Sequence, residues 1–467
     1  MKKPLIFYKK PLTGSSKSEQ GALKIHFFGG PVMKLTASDL PRQILFSAIS
    51  SLFDRRKDFL SNPGSDFTRV KKISFEQTIL FPMVAGSEDT ATELIDFFPE
   101  GKVPFPSAMI QRRNQVKLEA FKTLFQEFTT QIPIRNTFQG FQLACFDGTR
   151  SNLPYHPADK ETYIQCIEDR KGINQMHINC LYDPLNDVFL DAELQGIHQM
   201  DEKDAFCIVL ERQKYNDKKR RRIYLADRGF ASFNVCAHAI HNGQLFLLRT
   251  PVSFAQALCA DHKEWMDKPF FDEELSVHIG RCKTKKNLAL ENYHYINRRR
   301  RYDFIEPGSQ ETDLLQLRIL KFPIAEDSYE YIVTNLPKYG FSESTIKELY
   351  NLRWNEELAF RHLKYAGNLV HIHSLKKEHL IQEIYGKLAM YNFSAFMAAV
   401  IGKIRKKTDM YTYVLNHTQG QKICIRFLKG KIKDPVELIC RYLVPVRPGR
   451  SFERNLRRQS ADTLNYR

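Results

Sequence analysis

The sequence has no CxxC pair: its nine cysteines are scattered, and the closest two lie 14 residues apart. This spacing disfavours a zinc ribbon and a dense disulfide framework, and it is typical of a reduced, intracellular protein. The most apolar stretch, 388–401, contains Asn392 and Ser394 and is shorter than the ~20 residues that cross a bilayer. We therefore expect a soluble cytoplasmic protein in which 388–401 is a buried helix.

Two catalytic motifs are also absent. The sequence contains no GxxxxGK[ST] loop, which would cradle the phosphates of ATP, and no HExxH pair, which would bind a catalytic zinc ion. We therefore expect no use of ATP and assign the histidines structural or hydrogen-bonding roles.

Positive charge, in contrast, is abundant. Lys and Arg total 70 against 53 Asp and Glu, which gives a formal net charge of +17 and a pI near 9.3. This balance favours a polyanionic partner, with nucleic acid ahead of an anionic membrane surface. We expect nucleic acid and no membrane partner. Since 43% of the 467 residues are apolar, the chain can bury a sizeable core.

The residue pattern predicts five regions along the chain. A loose arm and a helical DNA-binding region occupy 1–135, and the first part of an α/β core occupies 136–250. Short β-like runs at 251–335 indicate a β-rich insertion, 336–400 returns to the core, and 401–467 is a basic C-terminal region. Three consecutive strands followed by alternating helices and strands are typical of a layered α/β sheet.

Two predicted strands end in carboxylates. Asp147 closes the run FQLACFD, and Asp227 closes the run RIYLAD. Open α/β sheets place their functional sites at this carboxyl edge. Each residue also has a structural interpretation, because Asp147-Gly148 is a common turn sequence and Asp227 can form an ion pair with Arg228.

A predicted helix near the C-terminal end of the core carries four polar side chains on one face. At 100° per residue, Tyr350, Arg353, Glu357 and Lys364 share an arc of roughly 60°. Glu356 falls inside the adjoining apolar stripe, for which the sequence offers no explanation. The alternative for this face is a solvated amphipathic helix with an Arg–Glu pair.

Together, the three acids suit phosphodiester chemistry. Two divalent ions about 3.5–4 Å apart can activate a nucleophile and stabilise the leaving oxygen. Hard ions such as Mg²⁺ take oxygen ligands, so carboxylates from separate segments must converge. Asp147, Asp227 and Glu357 could supply those ligands.

The same motifs resemble those of insertion-sequence DDE transposases, which have a ribonuclease H-like catalytic core. The resemblance rests on FDGTR at 146–150, LADRGF at 225–230 and YNLRWNEELAFRHLK at 350–364. The last fits the pattern Y-(2)-R-(3)-E-(6)-K of one large group of these enzymes. The resemblance implies a mixed α/β sheet flanked by helices, with a β-rich insertion between the second Asp and the Glu.

The resemblance also implies an activity. Asp147, Asp227 and Glu357 would be catalytic residues and ligands of two Mg²⁺ ions, with Mn²⁺ as a substitute. The enzyme would cleave double-stranded DNA at transposon ends and join it to target DNA through the freed 3′-hydroxyl. By analogy, cutting two paired ends implies a homodimer on DNA.

DNA contacts are predicted from the signature helix and from basic clusters. The resemblance assigns Tyr350, Arg353 and Lys364 to the DNA backbone. Other predicted contacts are basic residues beside Asp227, in the insertion and in the N-terminal helices: Arg228, Arg298, Arg299, Arg300, Arg112 and Arg113. Three alternatives are a smaller ribonuclease H-like nuclease such as a junction resolvase, a transposase-derived DNA-binding protein without activity, and a glycosidase with paired carboxylates.

Overall fold

The computed structural model describes residues 39–445, except 70–71, 166–170, 218–219, 327, 373, 403 and 406–411. The predicted N-terminal arm and the end of the predicted basic C-terminal region lie outside the described residues.

Six helices form the N-terminal region: α1 Asp39–Asp54, α2 Arg56–Phe59, α3 Phe75–Val84, α4 Thr90–Phe97, α5 Pro106–Asn114 and α6 Leu118–Gln131. Local sequence explains where several begin. The Ser74 hydroxyl accepts from the Gln77 backbone N–H while the Gln77 side chain accepts from that of Ser74, a capping box that starts α3. Pro106 stands at the first position of α5, where its missing N–H costs nothing.

A mixed sheet follows. Its ten strands are β1 Gln142–Leu153, β2 Tyr163–Ile164, β3 Ile173–Asp183, β4 Val188–Gly196, β5 Arg222–Ala226, β6 Leu245–Thr250, β7 Phe271–Gly280, β8 Tyr293–Tyr295, β9 Thr312–Ala325 and β10 Ser328–Thr334. Their order is β2-β3-β1-β5-β6-β10-β9-β7-β8, and β4 pairs with β3. Strands β1, β5 and β6 are parallel, whereas β3 and β10 flank them in antiparallel pairing.

Helices connect and cover these strands. A 3₁₀ turn, Ile197–Gln199, precedes α7 Glu202–Asp217, α8 Phe233–His241, α9 Val252–Leu258, α10 Lys263–Asp267 and α11 Lys285–Leu288. After the sheet come α12 Glu343–Leu352, α13 Asn355–Tyr365, α14 Lys377–Ile401, α15 His417–Leu428 and α16 Pro435–Arg441. A small second sheet contains β11 Ile404–Arg405, β12 Thr412–Leu415 and β13 Leu443–Pro445.

The long helix α14 lies in the core. By length and composition it could cross a membrane, but most of its residues are buried and it packs on α3, α6 and β4. This burial is typical of the central helix of a globular fold. The predicted buried helix at 388–401 is thus confirmed, and it begins earlier than expected.

The predicted mixed α/β sheet flanked by helices is confirmed, with two differences in detail. Residues 251–335 form no separate layer, because β10 pairs with β6 and the sheet continues through β9 and β7. Strand β1 does not end at Asp147. It leaves β5 after Phe146 but continues beside β3 to Leu153, so Asp147 lies where the parallel pairing stops rather than where the strand stops.

Alternation along the strands gives the sheet two different faces. Cys145, Leu225 and Leu247 belong to one core cluster with Leu349 of α12. Phe146 and its neighbours on the other face belong to the larger cluster that includes residues of α7 and α8. A side chain two residues beyond Cys145, Leu225 or Leu247 therefore emerges on the face that α12 covers.

Candidate active site

Asp147 and Asp227 lie side by side where the parallel pairing of β1 and β5 stops. The last pair in the register of β1 and β5 is Phe146 with Ala226, so each aspartate is the next residue along its strand. Both side chains are partly exposed, 28% for Asp147 and 35% for Asp227. Burial raises the pKa of Asp147. The backbone N–H of Gly148 donates to the Asp147 carboxylate at 2.8 Å and partly opposes this rise.

Arg353 lies between the two aspartates. Its Nη1 atom is 3.6 Å from Asp147 Oδ2, and its Nη2 atom is 3.9 Å from Asp227 Oδ2. The side chain is only 2% exposed. Burial lowers the pKa of Arg353, but the charges of Tyr350, Asp227 and Asp147 outweigh burial and raise it overall. The predicted signature arginine thus bridges the two predicted acids.

Tyr350 contacts the second aspartate directly. Its hydroxyl donates to Asp227 Oδ1 at 3.0 Å, and the residue is 2% exposed in the core beneath α12. Burial raises the pKa of Tyr350 to about 12, so the hydroxyl remains a donor at neutral pH. In the free protein, this hydroxyl therefore binds Asp227; its predicted contact with DNA stays a prediction.

The signature helix is not continuous. Between α12 and α13 the backbone N–H groups of Arg353, Trp354 and Glu356 donate to carbonyls three residues earlier, at 3.1, 3.3 and 3.0 Å. Such a 3₁₀ turn advances about 120° per residue instead of about 100°. The single helix expected from Tyr350 to Lys364 is therefore interrupted at Arg353 and Trp354, and a helical wheel at 100° per residue does not apply across this turn.

Glu356 is near enough to Asp147 for their charges to interact. It is fully buried, and neither carboxylate oxygen has a hydrogen-bond partner. Burial raises the pKa of Glu356 well above its ordinary value, and the charge of Asp147 raises it further. The charge of Arg353 acts in the opposite direction and lowers this pKa, but by less. The position of Glu356 in the predicted apolar stripe is now explained: the stripe packs against the sheet next to the acidic edge.

Glu357 and Lys364 are half-buried on α13. Burial lowers the pKa of Lys364. The role of Glu357 as the third catalytic acid stays a prediction. The two adjacent glutamates, Glu356 and Glu357, are therefore both candidates for that role.

The residues at this edge fit a divalent cation chemically. The donors are carboxylate oxygens, which hard ions prefer, and both carboxyl oxygens of the buried Glu356 lack a hydrogen-bond partner. Within the described ranges, no group of three or more His, Cys, Asp or Glu side chains is already arranged to hold an ion. Asp147 and Asp227 are thus the part of such a site that the fold brings together by itself.

The basic residues predicted to contact DNA differ in exposure. Arg228 is exposed beside Asp227, and Arg298, Arg299 and Arg300 are exposed in one loop. That loop is held by Arg281, which is buried and donates to four backbone carbonyls of residues 297–305 at 2.8–3.1 Å: those of Asn297, Arg300, Tyr302 and Ile305.

The two arginines of α5 are buried. Arg113 pairs with Glu383 at 2.9 Å and donates to Gln382 Oε1 at 3.0 Å on α14. Arg112 donates to Gln115 at 2.9 Å and lies over the Phe67 ring. These contacts indicate structural roles in the free protein, and the predicted contacts of both arginines with DNA stay predictions.

Two side-chain pairs near the aspartates were not predicted. His177 Nε2 lies 3.0 Å from Glu202 Oε1, and a Cβ atom on Gly148 would come within 2.2 Å of that ring nitrogen. Only glycine therefore lets the His177 ring approach β1 here. On the other side of Asp227, Arg249 pairs with Glu330. Arg249 ends the strand run QLFLLR just as the aspartates end theirs, a signal that would have identified it.

Comparison with known proteins identifies the family. A family model described as "Transposase DDE domain" matches residues 139–393, which is more than half of the chain. The chain belongs to this DDE transposase family. The matched region begins just before β1, contains the ten-stranded sheet, α12 and α13, and ends within α14. The two aspartates and both glutamates of the candidate site are inside it.

Solved structures and curated proteins were also compared with this transposase-family chain. A piggyBac transposase in a synaptic complex with hairpin DNA, determined by cryo-EM, is similar over 84% of this chain and 80% of that chain, with 10% identity and a TM-score of 0.41. No curated protein matches the chain.

Proposed function

We propose that the protein is an active DNA transposase of the insertion-sequence type, with a ribonuclease H-like core and the Y-(2)-R-(3)-E-(6)-K signature at 350–364. It cleaves double-stranded DNA at transposon ends and transfers the freed strand to target DNA. The observation that carries the proposal is the side-by-side placement of Asp147 and Asp227 in register on parallel strands, bridged by Arg353 at 3.6 and 3.9 Å.

The proposed cofactor is a pair of Mg²⁺ ions, with Mn²⁺ as a substitute, held by Asp147, Asp227 and a glutamate of α13. When bound, these ions supply activation of water or a 3′-hydroxyl and stabilisation of the leaving oxygen. Sequence favours Glu357 as the third acid, whereas the burial of Glu356 beside Asp147 favours Glu356. The proposal assigns the role to α13, and matched variants decide between the two.

The protein's own side chains orient the acids and the DNA. Tyr350 and Arg353 fix the rotamer of Asp227 through a hydrogen bond and a charge contact. Lys364 and Arg228 supply positive charge for phosphates near the cut, where each phosphate contact adds to the salt dependence of binding. No covalent protein–DNA intermediate is needed, because water and the 3′-hydroxyl are the nucleophiles.

A nicking assay on a supercoiled plasmid carrying the DNA that flanks the gene tests the proposal. Asp147→Asn and Asp227→Asn should each abolish Mg²⁺-dependent nicking and leave DNA binding largely intact. Glu356→Gln and Glu357→Gln form the matched pair, and only the change at the third ligand should abolish nicking. Wild-type protein that binds this DNA but never nicks it would instead support the alternative, a transposase-derived DNA-binding protein without activity.

The proposal extends to assembly and location. Two ends must be cut together, so we propose a homodimer on DNA in the cytoplasm, associated with the nucleoid. Size-exclusion chromatography with light scattering, with and without end DNA, tests the dimer: a complex that contains one protein chain per two ends would contradict it.

A further inference from the structure

A positive side chain continues the row of acids at the sheet edge. In the register of β5 and β6, Ala226 pairs with Leu248, so Asp227 and Arg249 are the next residues on neighbouring parallel strands. Asp147, Asp227 and Arg249 therefore stand in line across β1, β5 and β6. By alternation, all three emerge on the face that α12 covers.

Arg249 is held at this edge from two sides. Its Nε atom lies 2.8 Å from Glu330 Oε1 on β10, and its Nη1 atom lies 3.8 Å from Asp227 Oδ1. The Arg249 side chain is 25% exposed, whereas that of Glu330 is 13% exposed. Glu330 thus binds the Nε edge of the guanidinium from the more buried side, and a quarter of the Arg249 side chain is exposed.

The two arginines beside Asp227 differ in what they can reach. Arg353 is 2% exposed and lies between the aspartates, so its charge serves the acids themselves. Arg249 lies on the outer side of Asp227 with solvent access. A planar guanidinium fixed along one edge presents its remaining N–H groups in a geometry that matches phosphate oxygens.

We propose that Arg249 is a phosphate-binding residue of the active centre and that Glu330 is the residue that positions it. The inference rests on the proposed function and names a residue pair that neither the signature nor the basic clusters contain. A phosphate next to the scissile bond would approach Asp227 on the side of Arg249. Glu330 prevents the guanidinium from turning onto Asp227, where it would neutralise the acid.

The alternative is an ion pair that only fastens β6 to β10. In both roles, removal of a positive charge 3.8 Å from Asp227 Oδ1 should strengthen the binding of a cation to that carboxylate, unless the sheet also loosens. DNA affinity should fall in both cases. Only the loss of a phosphate contact should lower the slope of log K against log salt, so this slope distinguishes the two roles.

The test uses the full chain, Mn²⁺ alone, and a duplex oligonucleotide made from the DNA that flanks the gene. For Arg249→Ala, we expect Mn²⁺ binding, measured by electron paramagnetic resonance, to tighten by about threefold or more. The slope of log K against log salt for the duplex should fall by about 0.9, the value for one phosphate contact. Arg249→Lys should recover the slope but not the nicking rate.

One control variant separates the loss of a positive charge near Asp227 from the loss of a positive charge elsewhere on the surface. Arg441→Ala removes the same charge from an exposed pair with Glu437 and should leave Mn²⁺ binding unchanged. Glu330→Gln should slow nicking at saturating DNA about tenfold with little change in DNA affinity, and Glu330→Asp should recover part of the rate.

Unchanged Mn²⁺ binding and an unchanged salt slope in Arg249→Ala overturn the inference, even if the wild type nicks DNA. Conversely, if the wild type never nicks DNA, the proposed activity fails while the two binding measurements still decide the role of Arg249.

Discussion

The Tyr350 hydroxyl donates to Asp227 Oδ1 at 3.0 Å from the buried side of the acidic edge. Removing this hydroxyl by Tyr350→Phe keeps the ring in the core but leaves the carboxylate free to rotate. A hydrogen bond to a charged group contributes about 1.5–3 kcal/mol, so we expect nicking to slow roughly 10- to 100-fold. The measurement is the single-turnover nicking rate on end DNA.

The stability of Tyr350→Phe provides the control. Because the aromatic contacts remain, the loss of stability in urea should not exceed the contribution of this one hydrogen bond, about 1.5–3 kcal/mol. A normal nicking rate would show that Asp227 needs no support from α12, and a greater loss of stability would show that the hydroxyl serves the fold instead.

Glu356 should make the stability of the metal-free protein depend on pH. Because burial raises the pKa of Glu356 in the folded state, folding favours its protonated form. This contribution is fully present below the unfolded pKa of about 4.3 and is lost as pH rises toward the raised folded value. Glu356→Gln removes the titration and should therefore be more stable than the wild type at pH 8 in EDTA, by about 1–3 kcal/mol.

Denaturation in urea at pH 5 and pH 8 measures this difference. The advantage of Glu356→Gln should shrink at pH 5, because lower pH favours the protonated form of the wild-type carboxyl. Glu357→Gln, at the adjacent half-buried position, is the matched control. A wild type that is more stable than Glu356→Gln at pH 8 would mean that the carboxylate has a positive partner.

We expect Arg113→Ala to lower the stability of the fold, whatever its effect on DNA binding. Its ion pair with Glu383 is buried on both sides, at 7% exposure each, and Arg113→Ala would leave a buried carboxylate without its cation. Breaking such a pair costs about 3–5 kcal/mol, which urea denaturation should reveal. Arg112→Ala, which removes a contact with the Phe67 ring, should cost less. A folded Arg113→Ala variant with normal stability and weak DNA binding would restore the DNA-contact prediction.

The two aspartates show most clearly what could be predicted from the sequence. Each follows an apolar run that is long enough for a strand, and this local pattern predicts an acid at the edge of a sheet. The proximity of Asp147 and Asp227 also requires β1 and β5 to be neighbours, and it was the family resemblance that predicted this convergence. The local pattern likewise places Arg249 at the end of a strand, but the order of strands is needed to place β6 next to β5.

The glutamates of α13 show a second limit. A helical wheel assumes about 100° per residue, and a few 3₁₀ hydrogen bonds at Arg353 and Trp354 are enough to break that assumption.

Arg113 shows a third limit of prediction from sequence. Its surface role was inferred from charge, but its partner Glu383 is 270 residues away along the chain, so only the tertiary fold could reveal its burial.

The exposed loop of Arg298, Arg299 and Arg300 should set part of the salt dependence of DNA binding. If all three contact phosphates, replacing them together by alanine should lower the slope of log K against log salt by about 2.7, at about 0.9 per contact. Arg281→Ala leaves these charges in place but removes the buried guanidinium that binds the loop carbonyls. It should weaken DNA binding with a smaller loss of slope, since the charges remain near the DNA. Fluorescence anisotropy of a labelled end duplex between 50 and ~300 mM salt measures both, and an unchanged slope in the triple variant would place this loop away from the DNA.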